Sequence, residues 1–144
     1  MTIRQALKFK NKLIKEITDK TKLLQEYNSV EAGNPRPYDP LTLVDQINEL
    51  TQQLIELKSK IHRANVNVFE MIFEMSELKS NVKALKKMDC TEGKSTGDRY
   101  RFDAESIKES VISVRRRNEM IDVIENRIEE LQDKLDHHNA TTEI

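Results

Sequence analysis

Apolar residues recur along this chain at intervals of three and four, and do so over three long stretches. The clearest run is Leu43, Ile47, Leu50, Leu54, Leu57, Ile61, Ala64, Val68, Met71, Met75, Leu78, Val82 and Leu85. Its steps alternate between four and three without a slip, which is a heptad seam and predicts a helix over about 40–87. Unbroken from 43 to 85, that helix would be about 64 Å long at ~1.5 Å per residue. A compact globule of this size has a radius of gyration of only ~14–15 Å. The helix therefore either bends back on itself or leaves seam for a partner, and the nearest partner is a second copy. Asn65-Val66-Asn67 is the weakest point, because Asn and Val are poor helix formers. The phase is kept across it, which favours continuity; a turn there is the alternative.

The first stretch places Ile3, Ala6, Leu7, Leu13, Ile14, Ile17, Leu24 and Tyr27 on a 3.6-residue period and predicts a helix over about 2–31. Thr2 and Gln5 have the spacing of a capping box. The third stretch places Ile107, Val111, Val114, Asn118, Ile121, Ile124, Ile128, Leu131 and Leu135 on a helix over about 103–138, with Asp103 as N-cap. Asn118 falls on that seam, where a buried Asn fixes register at some cost in stability. The two three-residue steps at 118–121–124 form a stammer. The tail from Asn139 to Ile144 reads as too polar to continue the helix.

Glycine and proline confirm these boundaries. Gly33, Pro35, Pro37 and Pro40 lie in one window and Gly93 and Gly97 in another, and there are no others. Both residue types disfavour helix interiors. The first window gives a connector over 32–39, ending in Asp39 as N-cap with Pro40 at the first helical position. The second gives a loop over 88–102 whose end, Arg99-Tyr100-Arg101-Phe102, alternates charged and aromatic residues as a short extended element does. The expected fold is all-α: one helical domain, a long-helix antiparallel bundle with a short β element before the last helix. It is expected to be a homo-oligomer through the heptad seam.

Composition agrees. Charged residues make up 34% of the 144 and aromatics 5%, as in long helices and coiled coils. A net charge of −1 gives no global attraction to nucleic acid or anionic membrane. Over 98–144 twelve acidic residues outnumber eight basic ones, so no basic stripe for nucleic acid exists there. The single cysteine, Cys90, forms no internal disulfide. The N-terminal residues lack the apolar core of a signal peptide, and no run reaches the ~18 apolar residues of a membrane span. The expectation is a cytoplasmic protein with no membrane partner.

Chemistry is sparsely encoded. Glu92-Gly93-Lys94-Ser95-Thr96 contains the end of a phosphate-binding loop, but Met88 stands where the first glycine is needed. A flexible turn is the reading there. His62, His137 and His138 have no partner at metal-ligand spacing and read as surface residues. The carboxylates of the third stretch interleave with Lys and Arg as on a solvated face. No nucleophile–base pair, metal site or cofactor is indicated, and no enzymatic activity is expected. Arg115, Arg116 and Arg117 fan around the third helix close to Arg99 and Arg101. Guanidinium groups are preferred donors to carboxylate and phosphate. Together with Tyr100 or Phe102 they are candidates for an anionic, ring-bearing ligand. The competing reading pairs them on the surface with Glu109, Glu119 and Asp122.

Taken together, the chain resembles the septicolysin-like family of small bacterial and phage helical proteins. Ile3-x-Gln5-Ala6-Leu7 with Leu13 and Ile17 is similar to that family's first helix, and Asn28-x-Val30-x-x-Gly33, Pro35 and Asp39-Pro40 to its connector. Ile61 and Asn65 match two positions of an Ile-Asn-x-Thr-Asn motif, whose following glycine turn is missing here. The ending Asn139-Ala140-Thr141-Thr142-Glu143-Ile144 resembles an Asn-Trp-Thr-Thr-acidic-Leu tail, with Ala140 replacing tryptophan. The resemblance implies a helical bundle in a bacterial host cell, with Asn65, Thr141 and Thr142 as caps or as ligand contacts beside the arginines. The leading functional expectation is an oligomeric binding protein that sequesters a small anionic, nucleotide-type ligand, as a phage anti-defence sponge would. An adaptor coiled coil that binds a partner helix, and a haemolysin-like toxin, are the alternatives.

Overall fold

The protein is seen as a computed structural model, which describes residues 1–95 and 106–144. It is an all-α bundle of four helices, α1 (Ile3–Tyr27), α2 (Pro40–Ala64), α3 (Phe69–Lys86) and α4 (Val114–Thr141). Two three-residue strands, β1 (Gly93–Ser95) and β2 (Ser106–Lys108), pair antiparallel, with Lys94 opposite Ile107. The chain divides into two compact units, Met1–Phe69 with Asp136–Ile144, and Glu70–Leu135.

The first unit is built on an α1–α2 hairpin. Thr2 and Gln5 form the expected capping box, each accepting the other's backbone N–H. The helix stops at Tyr27, the last of its periodic apolar positions and just short of the expected 31. Arg36 closes that end: its guanidinium donates to the carbonyls of Tyr27 (2.9 Å) and Asn28 (3.2 Å), replacing the N–H groups that further helix would supply. Gly33 holds a positive φ of 88°, which a side chain would strain. Asp39 then caps α2 with Pro40 in the first turn, as expected. The helices run antiparallel: Ala6 and Leu13 share a buried cluster with Ile61 and Leu57, and Lys20 donates to Gln46 further along.

Every residue of the 43–85 seam is buried or half-buried, so its phase is real. The helix that carries it is not continuous. A 3₁₀ turn over Val66–Val68 separates α2 from α3, with the Val68 N–H bonded to the Asn65 carbonyl at 2.9 Å. The tighter turn keeps Ala64 and Val68 inward, so the pattern survives where the α-helical bonding does not.

The last helix differs from expectation at both ends. It starts at Val114, not near 103, because Ser106–Lys108 is drawn into the strand pair and Ser113 supplies the cap. The Ser113 Oγ accepts the Arg116 N–H at 3.1 Å. Asp103 and the Arg99–Phe102 segment lie outside the described residues. Ile107 and Val111, expected on the seam, precede the helix and are exposed. Asn118 is also exposed and accepts hydrogen bonds from its neighbour Arg117, so it is not a buried register device within this chain. The helix then runs on to Thr141, past the predicted end at 138. The polar tail is held because its backbone pairs with the other end of the chain. The Ile3 N–H donates to the Thr142 carbonyl (3.0 Å) and the Ile144 N–H to the Met1 carbonyl (2.9 Å).

Gly93-Lys94-Ser95 forms strand β1 where a turn was expected, and a phosphate loop would need a helix N-terminus there. The strand pair is pinned by Asp89, which accepts from Lys108 (2.8 Å) and from the Thr91 backbone (2.9 Å) and hydroxyl. These bonds, the Lys108 one foremost, hold the Asp89 carboxyl well below the usual carboxylate range. A depressed folded-state value means that the contribution is present above the ordinary value of ~3.9 and is lost as pH falls through the lower one. Carboxyl NMR titration should therefore place the Asp89 midpoint below ~3.9, and Lys108→Ala should move it upward.

Candidate anion cavity

The predicted site residues fall into different units. Arg115, Arg116 and Arg117 belong to the second. Arg115 and Arg116 both pair with Glu119, at 3.3 and 3.4 Å, with their side chains 90% and 66% exposed. That is the surface pairing weighed from the sequence, confined to Glu119. Arg117 reaches the Met88 carbonyl at 3.4 Å and the Asn118 side chain at 3.3 Å. Arg99, Tyr100 and Arg101 lie outside the described residues.

Asn65, Thr141 and Thr142 belong to the first unit, and two of the three are joined by a residue that the sequence reading treated as superficial. The His138 Nε2 lies 3.2 Å from the Asn65 Oδ1, and its Nδ1 lies 3.1 Å from the Thr142 Oγ1. His138 is half-buried and uses both ring nitrogens. His137, one residue on, is exposed, as expected of neighbours about 100° apart on a helix. Thr141 bonds only back to the His137 carbonyl, at 2.9 Å. His138 is held by backbone pairing of the tail and Asn65 by its place at the end of α2, so the bond ties the two chain segments of the unit together. His138→Ala should lower thermal stability by about 1–2 kcal/mol, the usual cost of an unmatched, partly buried acceptor. A melt indistinguishable from wild type would contradict this.

The same Asn65 lines a cavity of about 240 Å³ with Leu7 and Lys10 from α1, Lys58, Ile61 and His62 from α2, and Phe69 at the start of α3. Lys58, His62, Asn65 and Phe69 are spaced four, three and four, a one-face pattern that the 3₁₀ turn at Val66–Val68 does not break. The His62 and Phe69 rings lie 5.1 Å apart at 49° and wall one side. Ile61 is buried and forms the floor, while Lys10 is half-buried and Lys58 exposed.

No carboxylate lines this cavity. Three other cavities do carry glutamates: Glu56 in one, Glu92 and Glu109 in another, Glu125 and Glu129 in a third. The orientation of Asn65 adds to the bias. With Oδ1 taken by the His138 ring N–H, the Asn65 group left over is its amide NH₂, a donor. Two ammonium groups and an amide donor on an apolar floor, beside two rings, suit an anion that carries a flat group.

The sequence reading found Asn65 but not Lys10, Lys58, His62 or Phe69. The face shared by Lys58, His62, Asn65 and Phe69 is visible in the spacing. Lys10 is not, because it enters only through the register of the hairpin. Among the described residues, no group of three or more His, Cys, Asp or Glu is placed to hold a metal, and no helix is long and apolar enough to cross a membrane. Comparison with family models, with curated proteins and with solved structures finds no match to this chain.

Proposed function

We propose that the protein is a self-associating helical binding protein that holds a small anionic, nucleotide-type ligand, with no chemistry performed on it. The observation that carries this reading is the acid-free cavity of Lys10, Lys58, His62, Asn65 and Phe69. At about 240 Å³ the cavity is smaller than the ~300–1,000 Å³ of drug-sized sites. It would take one phosphate with its adjoining ring, the rest of a larger ligand lying outside.

Such a protein would act by stoichiometric capture, as a sponge for a signalling nucleotide does, and its abundance would set its capacity. Isothermal titration with cyclic dinucleotides and with isomers of cyclic ADP-ribose, at micromolar protein, tests the reading. Saturable heat with one of them is expected. No heat with any of them would remove the sequestration reading.

A further inference from the structure

We infer that two copies of this chain associate by laying the cationic outer ridge of α1 from one copy along the acid-rimmed groove between α3 and α4 of the other. This names a surface for the self-association proposed above and rests on that part of the reading, not on the anion cavity.

The groove lies in the second unit and measures about 400 Å³. Its floor is Val82 from α3 and Ile128 from α4, and its rim carries Glu125, Glu129 and Asp133. The three carboxylates stand four residues apart and so form one ridge of the helix, which Asp122 extends by one three-residue step. All four are exposed. Glu125 pairs with Lys86 at 3.3 Å, and the others have no ion-pair partner among the described residues. Lys79 from α3 and Gln132 from α4 also face the groove.

The matching pattern is on α1. Arg4, Lys8, Lys12 and Lys15 are all exposed, on the side away from Ile3, Ala6 and Leu13. None has an ion-pair partner among the described residues. Their spacing is four, four and three. Read backward along α4, Asp133, Glu129, Glu125 and Asp122 have the same spacing. Two helices laid antiparallel at the same ~1.5 Å rise would bring Arg4 to Asp133, Lys8 to Glu129, Lys12 to Glu125 and Lys15 to Asp122. The aliphatic stems of the cations would cover the half-buried Ile128, which a small anion or an acidic partner would leave wet. Lys79, and Lys86 where it pairs with Glu125, are the like charges that the ridge would meet. A second copy is the occupant favoured here because each chain carries both halves of the charge pattern.

The test is a charge exchange read by sedimentation velocity. One variant is Arg4→Glu/Lys8→Glu/Lys12→Glu and the other Glu125→Lys/Glu129→Lys/Asp133→Lys. Wild type at tens of micromolar in low salt should sediment as a dimer, and raising salt to about 0.5 M should weaken it, since exposed pairs are screened. Each variant alone should dimerise at least ~tenfold more weakly. Their equimolar mixture should recover the dimer, because each variant's ridge then meets an oppositely charged rim. Circular dichroism verifies that both are helical. Should either fail to fold, Lys8→Gln and Glu129→Gln, together with the salt series on wild type, carry the same test. A wild-type dimer that survives either reversal, ignores salt, or is not recovered by mixing two folded variants overturns this surface alone. A wild type that is monomeric throughout overturns self-association as well, and leaves ligand binding at the cavity to be judged by its own titration.

Discussion

Leu57→Asp is expected to unfold the α1–α2 hairpin. Leu57 is 8% exposed and sits in a cluster with Ala6, Leu13 and Ile61, flanked by Leu7, Leu50, Leu54 and Ile144. A carboxylate there loses the burial of the leucine, worth about 1.5–3 kcal/mol, and must shed its own hydration without a partner. The combined cost of about 4 kcal/mol or more is a large share of the ~5–15 kcal/mol that holds a domain together. The helical signal should melt at far lower temperature. Leu41→Asp is the matched control: Leu41 is 76% exposed in the first turn of α2, where a negative charge suits the helix end. Its melt should stay within about 0.5 kcal/mol of wild type. Equal melts for the two variants would refute the assignment of the hairpin core.

Lys10→Glu combined with Lys58→Glu should abolish ligand binding and leave the fold intact. Both lysines line the cavity, and neither side chain is buried enough for its replacement to open the core. A charged hydrogen bond to an anion is worth about 1.5–3 kcal/mol, so removing two and adding repulsion should weaken binding by at least ~100-fold. Arg115→Ala, at a side chain 90% exposed and paired to Glu119, should change binding little. The opposite outcome, loss with Arg115→Ala and tolerance of the lysine pair, would return the site to the arginines.

The helices were legible in the sequence wherever the signal was local. The capping box at Thr2, the Asp39-Pro40 start and the heptad phase through Val68 depend on neighbours within a turn or two, and all are present. What could not be read was set by residues far away in the chain. α4 starts late because Ser106–Lys108 pairs with Gly93–Ser95, and it ends late because Thr142 and Ile144 bond to the opposite end of the chain. The cavity shows the same division. Lys58, His62, Asn65 and Phe69 could be placed on one face from spacing. Lys10 needed the hairpin register, and His138 needed the docked tail that gives its ring two partners.

The most direct measurement of the central claim is an NMR titration of ¹⁵N-labelled protein with a nucleoside monophosphate and with inorganic phosphate. The Asn65 side-chain amide should shift with saturation, together with backbone signals of Lys10, Lys58 and Phe69, and more strongly for the ring-bearing ligand. Shifts confined to Arg115, Arg116 and Arg117, or no saturable shift at Asn65, would contradict it.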